Sequence, residues 1–306
     1  MVELFHIPHV EVNTNNFDHI LHDSIVNEVE QKIANYVGAK YAVGINSATN
    51  ALFLSILNKN KTISLPTMIP PVVCNAIITS GNSISFNDNI EWVGDSYIFA
   101  EFEDYKIIDS AQKLEKDQFI NECENNDLMI FSFYPTKPLG GVDGSIIVSN
   151  DKVKIDKLRS LANNGMSQEN NSWDRKQDQP GYKFYLPAIN AAVINSNLDK
   201  YEDKLSKLKI VRDFYNRELC LNNTSNHLYR INVKNRDKLI KLFNENDISY
   251  GIHYHCQHQT SCFKEKIILD KSEKESKETI SIPFHEKLSM DNLHHIVSLV
   301  KENAKV

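Results

Sequence analysis

Short apolar runs alternate with stretches of helical periodicity through the first half of the chain, and that alternation most constrains what it can fold into. Ile25, Val29, Ile33 and Val37 recur at the spacing of a helix with one buried stripe, closed by Gly38. Tyr41 to Ile45 reads as a strand, and the polar turn Asn46-Ser47-Ala48-Thr49 leads into an apolar helix, Ala51 to Leu57. Strand-like runs follow at Thr62 to Leu65, Ser83 to Phe86, Lys106 to Ile108 and Leu128 to Phe133, with a helix at Val72 to Thr79. Such a pattern predicts an α/β fold with a mainly parallel sheet between helices. In open sheets of this kind ligands gather at the carboxyl ends of the strands, here the loops at Asn46, Pro66, Asp109 and Ser132.

The second half reads differently. The polar segment Met166 to Pro180 is expected to be a loop, and Ala188 to Leu219 one long helix bridging to a smaller α+β unit. That unit takes strands at His227 to Val233 and Gly251 to Tyr254, with helices at Asp237 to Asn246 and Asp291 to Asn303. The expected division is 1–200 for the large domain and 201–306 for the small C-terminal one.

Composition excludes several classes. With 41% hydrophobic and 24% charged residues and no long apolar run, the chain is not expected to span a membrane. Met1 to His9 lacks the features of a secretory signal, so a cytoplasmic location is expected. A net charge of -6 with lysines interleaved among acids offers no face for nucleic acid. Five scattered cysteines suggest free thiols, and the cluster of His253, His255, His258, Cys256 and Cys262 matches no standard zinc spacing, so no metal site is expected.

Chemistry concentrates at two strand ends. Lys137 follows the apolar run in Phe131-Ser132-Phe133-Tyr134-Pro135-Thr136-Lys137; burial there would leave its amine neutral and nucleophilic towards an aldehyde cofactor, although an arbitrary Lys is far more often a solvated surface charge. Asp109 ends the strand before Ser110-Ala111-Gln112, where it could pair with a protonated pyridine nitrogen or simply cap a helix. Ser47, Ala48, Thr49 and Ser132 offer donors to a phosphate, with an ordinary helix cap as the plainer reading of the turn.

In combination these runs resemble the DegT/DnrJ/StrS family of sugar aminotransferases, pyridoxal-phosphate (PLP) enzymes of fold type I. The resemblance rests above all on Asp109-Ser110-Ala111-Gln112 and on the run ending at Lys137. It extends from Tyr36-Val37-Gly38-Ala39-Lys40-Tyr41-Ala42-Val43 through Pro66-Thr67-Met68, Asn164-Gly165-Met166 and Pro180-Gly181-Tyr182-Lys183 to Ile282-Pro283-Phe284. It implies that Lys137 holds the cofactor, Asp109 pairs with its ring nitrogen, Gln112 lies against it, and Ser132, Ala48 and Thr49 hold its phosphate. It further implies a homodimer with shared active sites, a nucleotide-linked keto-sugar substrate and glutamate as amino donor. His253, Tyr254 and Tyr134 are candidate substrate contacts.

The chain also departs from the family. Pro70 stands where an aromatic usually covers the cofactor ring; Lys183 and Tyr185 replace the Asn and Arg of an N-Y-R run whose Asn crosses the dimer; Asp143 replaces a Glu. The stretches Ile90 to Lys106 and Lys113 to Asp127 are shorter than is usual there. Two rival readings are a sugar dehydratase of the same fold, against which Lys137 argues, and a member that has lost turnover and serves as a sensor or binding protein.

Overall fold

In the computed structural model, which describes residues 1–166 and 176–303, the chain forms ten helices and nine strands among the described residues. Of the loop expected from Met166 to Pro180, residues 167–175 fall outside them. The order is α1 (Ile25–Val37), β1 (Tyr41–Ile45), α2 (Ala48–Ser55), β2 (Thr62–Pro66), α3 (Pro71–Thr79), β3 (Ser83–Asn87), β4 (Tyr97–Glu101), β5 (Lys106–Asp109), α4 (Gln118–Glu122), β6 (Leu128–Ser132), β7 (Ser145–Ser149) and α5 (Lys152–Ala162). Then come α6 (Ala188–Leu198), α7 (Tyr201–Leu219), β8 (Tyr229–Asn232), α8 (Arg236–Glu245), α9 (Asp270–Glu278), β9 (Thr279–Ile282) and α10 (Met290–Asn303).

The central sheet has the order β1-β7-β6-β5-β4, with the parallel pair β2-β3 packed beside β4. β1, β6 and β5 run one way, whereas β7 and β4 oppose them. The reversal of β4 has a local cause. Phe102 to Tyr105 is all that joins it to β5, and so short a link permits a hairpin but not the crossover that parallel neighbours require.

Strand side chains alternate between two cores. Val43, Ile107, Leu128, Ile130 and Ile147 face a cluster completed by α2, α3 and α5. Ala42, Ile108, Met129, Phe131, Ile146 and Val148 face the cluster under α1 and α6. Both faces are therefore covered, which explains why β6 and β7 read as continuous apolar runs. α1 stops at Gly38, whose φ of +83° suits glycine and whose N–H closes on Ala34 O.

A third core gathers β8, β9, α8, α10 and the inner face of α7. Val2 packs against it and bridges to Ile248, so the first residues belong spatially with the last hundred.

Two expected elements are corrected. Ala188 to Leu219 is not one helix: it breaks at Asp199 and Lys200, where buried Tyr201 turns into the second core and donates its hydroxyl to Leu114 O at 2.9 Å. Gly251 to Tyr254 is not a strand; Gly251 makes a single bridge to Ser281, whose strand β9 already pairs with β8.

Candidate active site

The carboxyl ends of β1, β2, β5 and β6 open on a common cavity of about 480 Å³, within the range of small-molecule sites. It collects Ser47, Ala48, Thr49, Pro70, Asp109, Gln112, Ser132, Tyr134, Lys137 and Tyr254, ten of the residues expected from sequence. Each arrives by local structure. Ser47 caps α2, its Oγ accepting from Asn50 N at 3.2 Å, so the hydroxyl is engaged as an ordinary cap. The first-turn N–H groups of Ala48 and Thr49 have no acceptor within the helix. Pro70 precedes α3, and Asp109 and Ser132 end β5 and β6.

Lys137 sits on a tight loop. Its N–H closes on Tyr134 O at 2.9 Å. Lys204 of α7 donates to Pro138 O at 2.7 Å, and Asn197 of α6 donates to Gly140 O at 3.2 Å. Gly140 has a φ of +71°, and a Cβ there would lie 2.9 Å from Pro135 O, so the turn requires glycine.

Lys137 is half-buried because part of its side chain opens into the cavity, but its amine lies deep. Desolvation lowers its pKa to about 8 against the opposing pull of Asp109. Asp109 is 4% exposed; burial raises its pKa, while donors from Ala111 N and Tyr97 Oη, both at 2.9 Å, and the charge of Lys137 work the other way. Gln112 spans two segments: its Nε2 donates to Tyr254 Oη at 2.9 Å, and its Oε1 accepts from Gly94 N at 2.8 Å.

Three expected residues are not among those lining the cavity. His253 is held by Ser281 Oγ at 2.8 Å, and burial and the charge of Lys137 lower its pKa to about 4. Lys183 is exposed. Tyr185 lines a separate cavity with Glu30 and Arg159 and packs on His22 at 4.4 Å between ring centroids. Within one chain, then, neither Lys183 nor Tyr185 faces Lys137.

Sequence reading missed Trp92, Tyr97 and His227. Trp92 and Tyr97 line the cavity, and Trp92 packs parallel to Tyr254 at 6.0 Å and against Tyr97 at 4.7 Å. These aromatics stand on the wall of a cavity that has Pro70 where an aromatic was expected. His227, 5% exposed, is held well below the usual histidine range by burial and by Lys137. Its signal was absent: a lone histidine at the edge of a strand has no motif around it.

Solved structures share this architecture. TlmJ of Streptoalloteichus hindustanus, an aminotransferase, superposes with a TM-score of 0.83 at 16% identity, covering 99% of this chain and 98% of that one. PseC of Helicobacter pylori, an aminotransferase of pseudoaminic acid biosynthesis, gives 0.78 at 18% identity over 97% and 98%. The fold is thus that of the α/β aminotransferases. Residues 12–106 and 107–301 match the DegT/DnrJ/EryC1/StrS aminotransferase family, and the chain belongs to it. Among curated relatives, UDP-4-amino-4,6-dideoxy-N-acetyl-beta-L-altrosamine transaminase of Campylobacter jejuni is 26% identical over an aligned length of 342, covering 90% of this chain and 91% of that protein.

Proposed function

We propose that the chain is a PLP-dependent aminotransferase that converts a nucleotide-linked keto-sugar, a 4-keto-6-deoxyhexose by family habit, to an amino sugar with glutamate as donor. The observation that carries this is the enclosure of Lys137 and Asp109 in one cavity, the amine depressed to about 8 and the carboxyl buried. Support for the substrate class comes from the Campylobacter jejuni relative's name, and for the cofactor from Spr1654 of Streptococcus pneumoniae, solved in a PLP form and a PMP form with a TM-score of 0.77 for the former.

The residues present fit the cofactor. Ala48 and Thr49 at the start of α2 and the hydroxyl of Ser132 would receive its phosphate. Asp109 would face its ring nitrogen, and Pro70 and Tyr254 would bound its ring. Lys137 would hold it through Nζ. When bound, the cofactor supplies the electron sink that amino transfer needs. Lys137 Nζ would be the base that takes the proton from the donor's α carbon and the acid that gives one to the sugar carbon that becomes aminated. We place Lys183 across a homodimer, reaching the phosphate of the second copy in place of the family's Asn, and the protein in the cytoplasm.

The test is the visible spectrum of the purified protein with added PLP, beside Lys137→Ala, before and after glutamate. A band that forms only with Lys137 and bleaches with glutamate is expected. Its absence would sink the reading and favour a binding protein, whereas a dehydrated rather than aminated sugar product would favour the dehydratase.

A further inference from the structure

Tyr97 stands directly opposite Asp109 in the β4–β5 ladder, and its hydroxyl donates to Asp109 Oδ2 at 2.9 Å. The second oxygen, Oδ1, accepts from Ala111 N at 2.9 Å. Tyr97 and Asp109 are 8% and 4% exposed, so neither bond competes freely with water. A carboxylate gripped at both oxygens is fixed in rotation, and each donor favours its charged form. The pairing depends on the short Phe102 to Tyr105 turn, because only an antiparallel β4 sets its first residue against the last residue of β5.

We propose that Tyr97 is a positioning residue that keeps Asp109 ionised and aimed at the cofactor's ring nitrogen, a role that rests on reading the cavity as a PLP site. The groups facing this pair come from several elements. Lys137, on the loop after β6, is a cation that also favours a charged Asp109. Cys74 of α3 and Tyr254 face the pair too; burial pushes both upward in pKa, so they stay neutral and set no opposing charge against Asp109. Trp92 packs against the Tyr97 ring at 4.7 Å between centroids.

The test is a carboxyl-carbon NMR titration of Asp109 in the cofactor-free protein, for the wild type, Tyr97→Phe, Trp92→Phe and a chain carrying fluorotyrosine at 97. Loss of the hydroxyl should raise the Asp109 midpoint by about one pH unit, the size of one hydrogen bond to a charged group. Fluorotyrosine, a stronger donor of nearly the same shape, should lower the midpoint, and Trp92→Phe should leave it in place. With PLP bound, Tyr97→Phe should also release the ring-nitrogen proton at lower pH, read from the nitrogen shift of labelled cofactor. Equal midpoints in wild type and Tyr97→Phe, or an equal displacement in Trp92→Phe, would overturn the proposal while a wild-type cofactor band still stood. No Lys137-dependent band in the wild type would overturn the cofactor reading and this proposal with it.

Discussion

A lysine stripped of solvent sits against the interests of the fold. The pKa of Lys137 falls from the usual 10.5 to about 8, so the folded chain binds that proton less well than the unfolded one. Unfolding is therefore favoured by the proton: the penalty is absent above about pH 10.5 and fully developed below about pH 8. Lys137→Met should raise the unfolding free energy at pH 7 by about 1–3 kcal/mol while abolishing amino transfer, and the gain should fade as the pH approaches that of free lysine. Urea unfolding of both proteins across that range checks it; a destabilised variant at pH 7 would mean that packing, not desolvation, governs the site.

Between elements, one buried polar tie is a fork. Arg159 of α5 donates to Glu30 of α1 from Nη1 at 2.9 Å and Nη2 at 2.7 Å, while Glu30 Oε1 also accepts from Gly44 N of β1 at 2.7 Å. Glu30 is 5% exposed, so removing its partner strands a buried charge. Arg159→Ala should cost about 3–5 kcal/mol, and the double replacement by apolar residues of similar size much less; thermal unfolding of the two variants separates these outcomes. How far elements were legible follows from their burial. β5 and β6 were readable because they are unbroken apolar runs, with Asp109 closing β5 and Lys137 on the loop beyond β6. β4 was not, since Tyr97 to Glu101 mixes buried and exposed positions and the strand runs against the majority. α9 carries mostly charge with no apolar stripe, so periodicity could not reveal it. The break before Tyr201 has neither Gly nor Pro to mark it, and Tyr97 acquires its importance only from the register that a short turn imposes.

For the whole molecule, we propose a division near residue 200, with α7 joining the sheet-bearing part to the third core. The proposed dimer makes a clear demand at this scale. Lys183 is exposed and is not among the residues lining its own chain's cavity, so Lys183→Ala should weaken PLP binding several-fold only where the protein is dimeric. Cofactor titration at concentrations above and below dimer dissociation, followed by light scattering, tests this; equal affinity at both would remove Lys183 from the site. The first residues add a different constraint. Val2 bridges to Ile248, Glu3 O accepts from His285 Nε2, and His6 Nδ1 lies 2.5 Å from Glu286 Oε1. The chain is thus fastened like a belt, residues 2–6 tucked against the unit that follows α7. A fragment without residues 2–6 would leave the third core without Val2 and its neighbouring ties, and a force applied to those residues would load that core before it reached the central sheet.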